Sequence, residues 1–137
     1  MPEKYTILMA VGDSEAAAER EAEFVLGLPG SNDSIHVTVV HALHGEERGD
    51  PRVTADRVST VRKAMKMFEE GGVEHDEVDV GLPPAEGIVD WADDEDVDLV
   101  VLGGRKRSPA GKVLFGSVTQ EVLLNTDRPV VVTGGGD

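Results

Sequence analysis

The chain has no cysteine, so disulfides, thiolate catalysis, iron–sulfur clusters and cysteine-type zinc sites are all excluded. Aromatic residues are scarce at 4 % of 137, so a core must be built largely from alanine and aliphatic side chains. Cations are scarce too: 13 Lys and Arg stand against 27 Asp and Glu, a formal net charge of −14. So negative a field repels nucleic acid and anionic membrane, and neither is expected as a partner. The acidic residues are spread along the chain rather than gathered in a tail. With eight arginines to five lysines, this balance suits a protein kept soluble in high salt, where screening relieves self-repulsion. No run approaches the roughly 18 apolar residues of a membrane span. The opening MPEKYTILMAV lacks a basic segment followed by a long apolar one, so a secretory signal is not expected. A halophile's cytoplasmic protein is the expectation.

What is present is a regular alternation. Ile7 to Val11 is a short apolar run that reads as a strand, and Asp13 and Ser14 then offer two helix caps. A helix over Glu15 to Leu26 places Ala18, Ala22 and Val25 on one face, and Pro29-Gly30-Ser31-Asn32 breaks it. Ile35 to Ala42 suits a second strand, and HGEERGDPRV over 44–53 a loop. Thr54 caps a helix to about Glu70, ended by Gly71-Gly72. Val73 to Val80 alternates as a partly exposed edge strand. Pro83-Pro84 opens a helix carrying Ile88 and Trp91. Val97 to Leu102 is the most apolar strand and is expected to be central. A last helix runs from Gly116 or Ser117 to about Asn125, and Val130 to Val132 forms the final strand. Strand alternating with helix predicts one α/β domain, a doubly wound parallel sheet with helices on both faces. Ligands of such sheets sit beyond the carboxyl ends of the strands, where the strand order reverses. The loops expected there are Gly12-Asp13-Ser14 and the segment from Gly103 to Ser117.

That second loop concentrates chemistry. Arg105, Lys106, Arg107 and Lys112 fall in it, and Gly116-Ser117 stands at a helix start 13 positions after Gly103. Free N–H groups in a first helical turn, with a serine hydroxyl beside them, are a phosphate cradle; the competing structural reading is an ordinary glycine turn. It is not a Walker loop, because Gly111-Lys112 is followed by Val113 and Lys106 stands where the first glycine belongs. Nor does a dinucleotide fingerprint follow the first strand, where only Gly12 is present.

The segment resembles the universal stress protein family, whose nucleotide-binding members carry glycine, two residues, glycine, nine residues, then glycine and serine or threonine; here Gly103 and Gly116-Ser117 match. Gly81-Leu82-Pro83-Pro84-Ala85, Asp98-Leu99-Val100-Val101-Leu102-Gly103 and Arg128-Pro129-Val130-Val131-Val132 resemble other family segments, so the likeness spans essentially the whole chain. It implies a single universal stress protein domain over 1–137, with 134–137 a flexible tail, and a five-stranded parallel sheet in the order 3-2-1-4-5. It implies ATP or a related adenine nucleotide, with magnesium as an accompaniment. Gly103, Gly116, Ser117 and Val118 would then hold phosphates and ribose, helped by Arg105 and Lys106. Val11, Gly12 and Ala42 would line the adenine side, with Asp13 beside them. The motif is degenerate in two places: Lys106 replaces the second glycine, and Gly12-Asp13 reverses the family's Asp-Gly order after the first strand. A homodimer through the C-terminal strand, whose open edge invites pairing, is also implied. Two alternatives stay open: a dimeric interaction module of the same family that binds no nucleotide, and a weak ATP-hydrolysing enzyme, for which no catalytic residue emerges.

The remaining features read as structure. His41 and His44 have His-x-x-His spacing but sit at a strand end, and are expected to be loop histidines with no metal. Asp93-Asp94-Glu95-Asp96 reads as a solvated helix end, Trp91 as core or interface, and Ser108-Pro109 as a turn.

Overall fold

The run of five buried residues from Ile7 to Val11 sits at the centre of a five-stranded parallel sheet. The computed structural model describes residues 4–42, 58–81, 83–104 and 116–134. Strands β1 (Tyr5–Val11), β2 (Ile35–His41), β3 (Glu74–Glu77), β4 (Leu99–Gly103) and β5 (Val130–Thr133) alternate with helices α1 (Glu15–Leu26), α2 (Ser31–Ser34), α3 (Ser59–Glu70), α4 (Pro84–Asp94) and α5 (Ser117–Asn125). The sheet order is β3-β2-β1-β4-β5, as the resemblance implies. All four pairings are parallel, with Ile7 opposite both Ile35 and Leu99.

Burial on both faces explains why the central strands are nearly continuous apolar runs. One core cluster holds Ile7, Met9, Val37, Val39 and Val101 against Ala18, Ala22, Val25 of α1 and Val61, Ala64, Phe68 of α3. The other holds Leu8, Ala10, Val40, Val100 and Leu102 against Ala85, Ile88, Ala92 of α4 and Val122 of α5. Trp91 is half-buried against this second cluster. The Ser14 hydroxyl accepts from the Ala17 N–H at 3.1 Å and so caps α1. Gly71 closes α3, and Gly72 takes the left-handed turn at φ 72° that leads the chain to β3.

Several boundaries differ from expectation: β1 begins at Tyr5 rather than Ile7, and the ends of β2 and β5 move by one residue. The edge strand covers only Glu74–Glu77, not Val73 to Val80. Val78 and Val80 still pack inward, so the alternation records side-chain direction in extended chain beyond the ladder. Strand β4 begins at Leu99, because the Asp98 carboxylate accepts from the Thr6 N–H at 2.8 Å ahead of the ladder. The α2 turn follows Gly30, whose φ of 73° restarts the chain where only a break was expected. The Thr54 cap lies outside the described residues.

Candidate functional site

Strand order reverses at β1, which has β2 on one side and β4 on the other. A cleft of about 250 Å³ opens there, beyond the carboxyl ends of β1 and β4. Its lining brings together Gly12, Asp13, Ser14, Ala42, Gly103, Gly104, Gly116, Ser117 and Val118, with Ala17 and Glu21 of α1. Seven of the ten residues expected at a site are therefore neighbours in space. Val11 is fully buried beneath the cleft and does not line it; its carbonyl accepts from the Ala42 N–H at 2.7 Å, which fixes Ala42 in place. Arg105 and Lys106 lie outside the described residues, as do Arg107, Lys112, His44, Ser108 and Pro109.

Helix α5 points its N-terminus at the cleft. Gly116 is its cap residue, with φ −71° and ψ 167°, and no side chain caps the helix. The first N–H groups, at Ser117 and Val118, have no carbonyl within the helix to serve, and the helix dipole makes this end positive. The Thr119 hydroxyl donates to the Gly103 carbonyl at 3.1 Å, and the Gly104 N–H donates to Thr133 at 3.1 Å. These bonds pin α5 and β5 to the end of β4. On the opposite wall the Thr60 hydroxyl of α3 donates to the Gly12 carbonyl at 2.6 Å and holds the loop after β1.

Two features of the site were not expected. His41 is not a loop histidine: it is the last residue of β2, its side chain is 3 % exposed, and its Nε2 lies 3.0 Å from Asp13 Oδ1. Asp13 is thus held by His41 while Ser14 caps the helix. The Nδ1 atom of His41 is buried without a hydrogen-bond partner. The second feature is Glu21, 1 % exposed in the floor of the cleft, with Oε1 lacking any partner. Burial alone pushes its carboxyl well above the usual range. The signal for it was present: Glu21 stands three residues after Ala18 and four before Val25, on the face read as apolar. The same carboxyl accounts for Gly103, since a Cβ there would stand 2.9 Å from Glu21 Oε2. Among the described residues no lysine or arginine lines the cleft, and no group of three or more metal-ligating side chains occurs. No helix among them is long and apolar enough to cross a membrane.

Fold and cleft together define a class: a doubly wound parallel α/β domain with a small-ligand crevice at its switch point. Residues 5–134 match the model of the universal stress protein family, and the chain belongs to that family. It is similar to Universal stress protein MJ0577 of Methanocaldococcus jannaschii, 28 % identical over 127 residues that cover 92 % of this chain and 74 % of the relative. A universal stress protein of Mycolicibacterium smegmatis is 33 % identical over 94 residues, covering 68 % of this chain and 71 % of the other. Among solved structures, a universal stress protein from Archaeoglobus fulgidus superposes with a TM-score of 0.75 at 32 % identity, over 97 % of this chain and 99 % of that one. A complex of the A. fulgidus universal stress protein with dAMP gives a TM-score of 0.71 at 28 % identity, over 93 % and 96 % of the two chains.

Proposed function

We propose that this chain binds an adenine nucleotide in the cleft at the switch point, and acts as a regulatory stress-response module whose state the nucleotide sets. The observation that carries this reading is the convergence of the uncapped N-terminus of α5 with the glycine loops after β1 and β4 on one crevice. Ser117 and Val118, with Gly103 and Gly116 allowing close approach, are the phosphate and ribose side; Gly12, Asp13 and Ala42 are the base side. The dAMP complex of the A. fulgidus relative supports an adenine ligand. ATP, accompanied by magnesium, is the ligand proposed, with Arg105 and Lys106 supplying cations from the loop between β4 and α5. The reading extends to a cytoplasmic homodimer paired through β5, the outer strand on its side of the sheet, and to a protein adapted to high salt.

Titration calorimetry with ATP tests the site. Gly116→Val puts a branched side chain at the helix cap and is expected to weaken binding at least about tenfold, or 1.4 kcal/mol. Unchanged affinity refutes the phosphate assignment. A second reading, an interaction module without nucleotide, is favoured by one observation: both ionisable side chains lining the cleft among the described residues, Asp13 and Glu21, are acids. Under that reading neither chain binds ATP.

A further inference from the structure

Glu21 is the feature that nucleotide binding as outlined above does not use. A glutamate on the buried face of a helix is costly to fold around, because the carboxyl leaves water. Such groups are ordinarily satisfied by a cation or by hydrogen bonds. Here Oε1 has no partner, while the residue forms part of the cleft floor beneath Gly103. The residue opposite is a glycine, so the carboxyl tip occupies space that a Cβ at 103 would take.

Among the described residues the surroundings supply no compensating charge. Strands β4 and β5 carry no ionisable side chain, and Ser117, Val118 and Thr119 of α5 are neutral. The nearest charged groups on α1 point outward: Glu19 pairs with Lys63 of α3 at 3.1 Å on the surface, and Arg20 is exposed. Across the cleft, Asp13 is engaged with His41. Burial therefore favours the neutral carboxyl, consistent with the upward displacement of its titration. A neutral carboxyl has one O–H to give, and among the described residues nothing takes it at Oε1.

We propose that Glu21 is a ligand-contacting residue of the cleft: carrying its proton, it donates a hydrogen bond to an oxygen of the bound nucleotide, and once ionised it repels that anion. This rests on the nucleotide reading of the cleft. The cleft then takes up its ligand together with a retained proton, and affinity falls as pH climbs through the Glu21 titration. Linkage fixes the sign and the slope: where binding requires one proton on Glu21, the affinity drops by up to about tenfold per pH unit.

The test is ATP titration of the full chain, Glu21→Gln and Glu21→Leu at constant ionic strength, between about pH 5 and about pH 9, a range that spans documented buried carboxyls. Titration of ATP itself, and of every group other than residue 21, is common to all three proteins and cancels in the comparison. The wild-type affinity is expected to fall at least about tenfold more than that of Glu21→Gln across the range. Gln keeps a donor and cannot ionise. Glu21→Leu, with no donor, is expected to bind at least about tenfold more weakly than wild type at the acid end. Parallel pH curves for wild type and Glu21→Gln overturn the proposal, as does full affinity in Glu21→Leu at low pH; in both cases nucleotide binding itself stands. Absence of ATP binding in all three chains at every pH refutes the nucleotide reading and the role of Glu21 with it.

Discussion

Two glycines receive the same substitution with different consequences, and the contrast checks the packing beside the site. An alanine Cβ at Gly87, in α4, would run into the Gly81 carbonyl oxygen and lie 2.8 Å and 2.9 Å from that residue's C and N. All three contacts are backbone, so no rotamer relieves them and either the helix or the loop before it must move. Overpacking of this kind costs about 1–3 kcal/mol, and a backbone wall puts it at the upper end. Helix propensity returns about 1 kcal/mol for alanine over glycine, leaving a net loss of about 2 kcal/mol. At Gly103 the added Cβ would meet Glu21 Oε2 at 2.9 Å and the Ala17 Cβ at an ordinary 3.6 Å. The tight contact is the far end of a flexible side chain, which swings away for less than about 1 kcal/mol. Alanine gains a similar amount over glycine in a strand, so Gly103→Ala should stay within about 1 kcal/mol of wild type. With a urea slope of about 2 kcal/mol per molar, Gly87→Ala should lower the unfolding midpoint by about 1 M and Gly103→Ala by less than about 0.5 M. An unchanged midpoint in Gly87→Ala would refute the close approach of α4 to residue 81. A drop in Gly103→Ala as large as that in Gly87→Ala would show Glu21 clamped rather than movable, and Gly103→Ala combined with Glu21→Ala should then recover most of it.

Glu21 also sets a pH signature on stability. Its folded-state titration is raised, so the folded chain holds a proton that the unfolded chain releases above about pH 4.3. Stability is fully present below that value and falls as pH rises, by at most about 1.4 kcal/mol per unit, until the folded carboxyl ionises too. Glu21→Leu should remove this slope and gain about 1–3 kcal/mol at neutral pH, read as the difference between urea melts of the two chains at low and neutral pH; equal stability at neutral pH would contradict the burial of an unpartnered carboxyl. His41 is buried beside the same cleft and bonded to Asp13, so His41→Ala should cost about 2–3 kcal/mol through the cavity and the lost bond. His41→Phe, which keeps the volume, should cost less than His41→Ala; equal losses, measured by the same melts, would place the energy in the hydrogen bond and not in packing.

The parts of this molecule that obey a period were legible in the sequence. Leu99 to Leu102 announces a strand buried on both faces, and the placement of Ala18, Ala22 and Val25 announces which side of α1 meets the sheet. The convergence of Gly12 and Gly103 follows from topology, because alternating strands and helices leave few places for a switch point. What escaped was whatever depended on a polar residue keeping company with apolar ones. Glu21 shares its helical face with Ala18 and Val25, but composition reads a glutamate in so acidic a chain as solvated. His41 ends an apolar strand, and its pairing to Asp13 spans 28 residues of sequence that no local pattern connects. The resemblance marks Gly12-Asp13 as a reversal of the family's Asp-Gly order. In the fold the carboxylate lines the cleft one position later, and a buried histidine at the end of the neighbouring strand fixes where it points. A buried acid with no partner and a glycine set against its tip form a second such pairing, Glu21 with Gly103, and both pairings border the one cleft. Departures from local consistency that gather at a single crevice, while the rest of the chain obeys its periods, are what a binding site imposes on a fold.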